Sequence, residues 1–340
     1  GSPAGRFSAF AQSKASGKAV QASERTGSLE TREALIGLQN AFRDVAKRVL
    51  PVIVKIDVTD VVKQPAGEFP FEFFFGPQEG DQPRGRPRER EFRARGLGSG
   101  VIVRRSGGTV YVLTNNHVVG EADEISVKLH NGKEYTAKLV GKDPRKDLAL
   151  VSFETADQVP VAEMGDSDKV QVGDIVFAVG SPLGFESSIT QGIVSAVGRR
   201  PGPQTGVAGF TEYIQTDAAI NRGNSGGALV DIDGRVVGIN TWIASPTGGS
   251  VGIGFTIPIN NAKGAVEDFI AKGKVEYGWL GVNIGEITAE MKRDLRLGDA
   301  AGAFVFNVYR KSPADRGGCL LYTSDAADDL LCVDLGGRRI

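Results

Sequence analysis

Histidine, cysteine, methionine and tryptophan are scarce in this 340-residue chain, with two of each. The histidines, His117 and His130, are well separated, and the cysteines, Cys319 and Cys332, lie near the C-terminus. That is a poor ligand set, so no metal or other cofactor is expected. An excess of charge of one sign is also missing. Forty Lys and Arg face 41 Asp and Glu, a net charge of −1, and no global field draws the chain to nucleic acid or a membrane. No apolar run approaches the roughly 18 residues of a membrane span. The N-terminus shows neither an initiator Met nor an apolar leader core, as in a mature form or a fragment, and a removed leader leaves no trace.

What is present is ordinary globular material, 41% hydrophobic and 24% charged, long enough for two or three domains. Residues 1–33, rich in Ser, Ala, Gly and Lys, read as a flexible lead-in. Glu30 to Leu50 places apolar residues at near-helical spacing, and Pro51 ends the run. VIVKIDVTDVV is strand-like. Residues 63–96 are irregular, with an aromatic block (Phe69, Phe71, Phe73, Phe74, Phe75) followed by six arginines between Arg84 and Arg95. Aromatics and arginines sit in separate blocks of a low-complexity loop, which favours a solvated insertion over a nucleic-acid surface. An apolar block of that size is expected to contact something.

After Gly96 the pattern is β throughout. GSGVIVRR and TVYVLTNN flank Gly107-Gly108, ISVKLH and KEYTAKLVG flank Asn131-Gly132, and Asp233-Gly234 marks a further hairpin. Many short strands with such turns indicate barrels, and about 170 residues of strand is too much for one. The fold class expected is mostly β, with two barrels. NNAKGAVEDFIAK, from Asn260 to Lys272, is a closing amphipathic helix, and a second strand-bearing unit opens near Tyr277.

One stretch, NRGNSGGAL, sets Ser225 among three glycines ahead of an apolar run. Serine is a weak nucleophile and needs a base. His130 adjoins a turn and reads as surface. His117, in VLTNNHVVG, ends an apolar strand. A buried carboxylate should orient the imidazole. Asp147 leads straight into Leu148-Ala149-Leu150-Val151, where an unpaired charge is costly. Asp143, Asp166 and Asp217 compete, nearer turns or on less apolar strands. His117, Asp147 and Ser225 then stand in the chain order of the chymotrypsin arrangement.

TNNHVV, DLAL, GNSGGAL, GSPLGFESSITQGIVSAVGR and GIGFTIP together resemble the HtrA (Do-like) periplasmic serine proteases, over about Ala34 to Gly318. The resemblance implies a chymotrypsin-like protease domain over 34–272, its long regulatory loop at 63–96, and a partial PDZ domain over 275–318. It implies catalysis by His117, Asp147 and Ser225, with an oxyanion hole at the N–H groups of Gly223 and Ser225 and that of Asn224 adjacent. Ala219 stands six before the nucleophile, where trypsin-like enzymes carry a carboxylate. With Ile220 it implies an apolar S1 pocket for small aliphatic side chains. Asn224 replaces the aspartate used in zymogen activation by a new N-terminus. Gly278-Trp279-Leu280-Gly281 resembles the PDZ loop that captures peptide C-termini. The implied activity is ATP-independent cleavage of unfolded proteins in the periplasm by a homotrimer or higher multiple. The alternative is a chaperone or peptide-binding scaffold with a resting triad. Residues 319–340 resemble translated sequencing-adapter read-through, so the natural sequence is expected to stop near Gly318.

Overall fold

The computed structural model describes residues 31–62, 92–181, 187–200, 211–245, 248–298 and 302–319. Contacts divide the chain into two units, Gly1–Val275 and Glu276–Ile340.

The described part of the first unit opens with helix α1 over residues 31–49, which starts within the stretch expected to be a lead-in. Phe42, Val45 and Val49 lie three and four apart and so share a face. Val45 and Val49 are buried, and the Phe42 ring meets Phe177 edge-on at 5.0 Å. A 3-10 turn at Leu50–Val52 holds Pro51, whose missing N–H ends the helical ladder.

Two closed barrels follow. The first contains β1 (Ile53–Val62), β2 (Phe92–Ser106), β3 (Thr109–Thr114), β4 (Glu124–Lys128), β5 (Glu134–Asp143) and β6 (Leu148–Glu154), in the order β1-β2-β3-β6-β5-β4. The second contains β7 (Ile175–Gly180), β8 (Ser188–Arg199), β9 (Tyr213–Thr216), β10 (Ala228–Val230), β11 (Val236–Ile243) and β12 (Gly254–Pro258), in the order β10-β11-β12-β9-β8-β7. Closure leaves no sheet edge unpaired.

Two expectations need correction. The irregular stretch does not reach Gly96, because β2 begins at Phe92 and pairs in register with β1, Val62 against Phe92 and Val58 against Gly96. Backbone pairing tolerates the arginines whose charge suggested a loop. The rest of that stretch, with its aromatic block, lies outside the described residues. The Asn131-Gly132 hairpin is wider than two residues. The Leu129 N–H donates to the Lys133 carbonyl and the Gly132 N–H to the Leu129 carbonyl, so three residues form the loop, the next commonest hairpin geometry. Asp231 and Arg235 bracket Asp233-Gly234 in the same way.

The apolar residues fall into three clusters. One fills the first barrel, with Ile56, Val112, Val127 and Val151 at its heart. A second fills the other barrel, around Val176, Ile214, Ile220 and Leu229. The third joins them, packing Val101, Leu113 and Leu150 of the first barrel with Phe177, Val179, Ala228 and Ile239 of the second. The facing sides of the barrels are therefore fixed against each other by burial, the dominant favourable term in folding. Helix α2 (Asn116–Val119) follows β3, and α3 (Ile259–Lys272) closes the unit with Ile259, Ala262, Ala265, Val266 and Phe269 buried.

The second unit holds β13 (Val282–Glu286) and β14 (Ala303–Val308) in an antiparallel pair, with helices α4 (Ala289–Asp294) and α5 (Pro313–Arg316). The Thr288 and Ser312 hydroxyls cap the two helices, accepting from the N–H of Met291 and Asp315. Among the described residues no helix is long and apolar enough to cross a membrane.

Candidate active site

Helix α2 is one turn long. Val118 and Val119 anchor it in the first-barrel core, which fixes His117 between them and Asn115. The His117 side chain is only 3% exposed. Asp147 ends the turn from β5 into β6 at φ +55°, a left-handed conformation that aspartate tolerates better than most residues. The Asn115 side-chain amide donates to the Asp147 carbonyl at 2.9 Å and holds that backbone in place. Both carboxylate oxygens then serve the histidine. Asp147 Oδ1 accepts the His117 backbone N–H at 2.9 Å, and Oδ2 stands 2.7 Å from Nδ1. A carboxylate that takes the Nδ1 proton selects the tautomer with its lone pair on Nε2, the form a general base needs. Thr241 Oγ1 donates to the same Oδ2 at 2.7 Å.

The competing carboxylates are occupied locally. Asp143 accepts from the Arg145 N–H, Asp217 from the Ile193 N–H, and Asp166 from Asn260 and the Asp168 N–H. Asp147 holds two hydrogen bonds to His117.

Ser225 lies in the loop between β9 and β10. Gly223 at φ +93° and Gly226 at φ +83° bend that loop through conformations L side chains rarely adopt. At Gly226 the first barrel is close enough that a Cβ would lie 2.1 Å from the Ser99 carbonyl and 2.2 Å from Thr114 Oγ1. The Ser225 hydroxyl is fully buried and donates to the Thr241 carbonyl at 2.9 Å. Thr241 thus touches both partners, its hydroxyl on Asp147 and its carbonyl on Ser225. The Asn224 N–H donates to the Asn221 carbonyl at 3.0 Å, so that donor is engaged within the turn. Among the described residues no acceptor takes the N–H of Gly223 or Ser225. Tyr213, buried close by, has its hydroxyl pushed up to about 12 by burial first and by the Asp147 charge second.

The other expected residues are placed as follows. Ala219 is half-buried, its carbonyl accepting from Thr190 Oγ1 at 2.9 Å. Ile220 is fully buried in the second-barrel core, where a Cβ on Gly254 would lie 2.9 Å from its Cδ1. It backs the region from inside. In the second unit the Leu280 and Gly281 carbonyls accept from Ala314 and Tyr309 N–H, each at 2.9 Å. Trp279 is exposed beside Tyr309, and a Cβ on Gly278 would meet open space. His130 is exposed. Among the described residues no three His, Cys, Asp or Glu side chains stand together as metal ligands would. Sequence reasoning missed Ser99, Asn115 and Thr241. Each is a polar residue inside or at the end of an apolar strand, and burial there demands a partner.

Two closed six-stranded barrels with a His–Asp pair and a glycine-bracketed serine between them define a chymotrypsin-like serine peptidase domain. The profile of the Trypsin-like peptidase domain matches residues 98–239. The chain is 43% identical over 295 residues to a probable periplasmic serine protease do/HhoA-like of Haemophilus influenzae, covering 85% of this chain and 62% of that protein. It is 43% identical over 274 residues to the periplasmic pH-dependent serine endoprotease DegQ of Escherichia coli, covering 80% and 57%. Among solved structures, the HtrA-type protease AlgW with a decapeptide is 40% identical with a TM-score of 0.66, each chain covered to 82%. The chain belongs to the HtrA-type serine protease family. It spans about three-fifths of the length of these curated relatives.

Proposed function

We propose that this chain is a serine endopeptidase that cleaves unfolded or misfolded polypeptides without ATP, in protein quality control of the bacterial periplasm. The observation that carries the reading is the His117–Asp147 contact at 2.7 Å, joined through Thr241 to the Ser225 hydroxyl. Ser225 Oγ turns from the Thr241 carbonyl to His117 Nε2 and attacks the substrate carbonyl carbon as His117 takes its proton. The oxyanion is received by the N–H groups of Gly223 and Ser225. His117 then protonates the leaving amine, which departs and leaves acyl-Ser225. Water repeats the sequence and releases the acid. The relatives' names, periplasmic serine protease and endoprotease, support both activity and compartment.

Ala219, six residues before Ser225, favours small aliphatic residues before the cut. The loop carrying exposed Val251 and Ile253 supports this, since the Ser250 N–H ties it to Asn221 Oδ1 at 2.9 Å. Strong cleavage after Arg or Lys overturns it. The second unit is a partial PDZ domain, with Gly278, Trp279, Leu280 and Gly281 facing a peptide C-terminus. The working unit is a homotrimer or a multiple of it, and a sedimentation profile showing only monomer counts against that.

One observation favours a second reading. Ser225 is fully buried and hydrogen-bonded to Thr241, as in a chaperone or peptide-binding scaffold with a resting triad. Incubation of the full chain with casein, beside Ser225→Ala, separates the two. Removing the nucleophile of a working triad costs on the order of 10⁶ in turnover. Cleavage by the parent alone supports the peptidase, and no cleavage by either supports the scaffold.

A further inference from the structure

Ser99 sits on β2 in the first barrel, fully buried, with every polar atom used. Its hydroxyl donates to the Gly223 carbonyl at 2.6 Å, 124 residues away, and accepts the Ser181 N–H at 2.7 Å. Its backbone N–H donates to the Ser225 carbonyl at 2.8 Å. Its own carbonyl accepts from Thr114 Oγ1 at 2.7 Å. One residue of the first barrel therefore grips the carbonyls at both ends of the tripeptide Gly223-Asn224-Ser225. It also holds the end of β7 in the second barrel.

We propose that Ser99 is a positioning residue for the oxyanion hole, fixing the peptide planes next to those that carry the Gly223 and Ser225 N–H groups. This rests on the peptidase reading above. The peptide plane between Gly223 and Asn224 is held at both edges, its carbonyl by Ser99 Oγ and its N–H by the Asn221 carbonyl at 3.0 Å. A peptide is planar, so two such bonds leave it no rotation. The Gly223 N–H lies in the peptide before this plane and the Ser225 N–H in the peptide after it, each hinged to it at one Cα, and at Gly223 the hinge is the residue with least intrinsic resistance to turning. Loss of the Ser99 hydroxyl frees the carbonyl edge and strands the Gly223 oxygen in a buried site. The peptide then rotates to find another donor, and the neighbouring peptides that carry the Gly223 and Ser225 N–H groups lose the plane they hinge on.

The test compares the full chain with Ser99→Ala and Ser99→Cys, using a peptide ester with P1 Val, the matching peptide aldehyde and the matching peptide alcohol. The aldehyde adds Ser225 Oγ and generates an oxyanion, whereas the alcohol cannot. Removing one oxyanion donor costs about 10²–10³ in rate. Ser99→Ala, which misplaces a donor without deleting it, is expected to lower kcat about 10²-fold with KM within about threefold. Affinity for the aldehyde falls by the same factor as kcat, and affinity for the alcohol holds within about threefold. Ser99→Cys keeps the volume with a weak donor and falls between parent and alanine, which carries the test if the alanine variant does not fold. Unchanged kcat in a folded Ser99→Ala overturns the proposal, as does equal loss for aldehyde and alcohol, the mark of a purely structural role. A parent without esterase activity overturns the peptidase reading and this one with it. An active parent beside an equally active Ser99→Ala overturns this one alone.

Discussion

Gly226→Ala tests whether the approach of the two barrels beside Ser225 requires a glycine. The added Cβ meets the Ser99 carbonyl at 2.1 Å and Thr114 Oγ1 at 2.2 Å. Ordinary contact begins near 3.4 Å, so β2 must retreat by more than 1 Å at a point where the Ser99 N–H and carbonyl are both hydrogen-bonded. The backbone at φ +83° adds strain of about 1–2 kcal/mol for any L side chain. Overpacking adds about 1–3 kcal/mol, for an expected total of about 2–5 kcal/mol. For a domain of this size that lowers Tm by about 4–20 °C. Gly107→Ala is the control, since its φ of +60° brings the same strain and a Cβ there meets nothing within 4 Å. Urea and thermal unfolding of both variants, followed by circular dichroism, isolate the contact as the difference between them. Casein cleavage reports the displaced Ser225. If the two variants lose the same stability within about 0.5 kcal/mol and Gly226→Ala keeps full activity, the close approach is not what holds the loop.

Thr241→Val keeps the shape and the backbone carbonyl but removes the 2.7 Å hydrogen bond to Asp147 Oδ2. A bond to a charged group is worth about 1.5–3 kcal/mol, so kcat/KM on a peptide substrate should fall about 10–100-fold, and an unchanged value refutes the role. Tyr213 supplies a pH prediction. Its folded hydroxyl titrates at about 12, above the ordinary phenol near 10, so the folded state keeps its proton while the unfolded chain releases it. Stability is therefore whole below about pH 10 and declines by about 1.4 kcal/mol per pH unit up to about 12. Urea midpoints measured from pH 9 to 11.5 should show that slope in the parent and a shallower one in Tyr213→Phe.

Local chemistry made much of this molecule legible before its structure. Short apolar and β-branched runs bounded by turn residues marked β3, β6 and β8, because such runs signal strands from their near neighbours alone. The spacing of Ala262, Ala265, Val266 and Phe269 marked α3, and Pro51 marked the end of α1, since each depends on near neighbours in the chain. His117, Asp147 and Ser225 were legible because each stands in a short run whose composition is unusual for its place. The limits of β2 were not, because a partner strand 30 residues away supplied its hydrogen bonds. The apolar run after Asp147 favoured it over Asp143, Asp166 and Asp217, but its hydrogen bonds to His117 exist only in the fold.

The sequence by itself determined the class of fold, the glycine-bracketed loop around Ser225, and the order of the three candidate catalytic residues. Tertiary structure alone decided which groups meet. Thr241 reaches Asp147 across 94 residues and Ser99 reaches Gly223 across 124. Such pairings depend on how two barrels close and on which faces they bury together. Period and propensity describe a residue's neighbours along the chain, whereas a clamp across two barrels exists only after both have formed and packed.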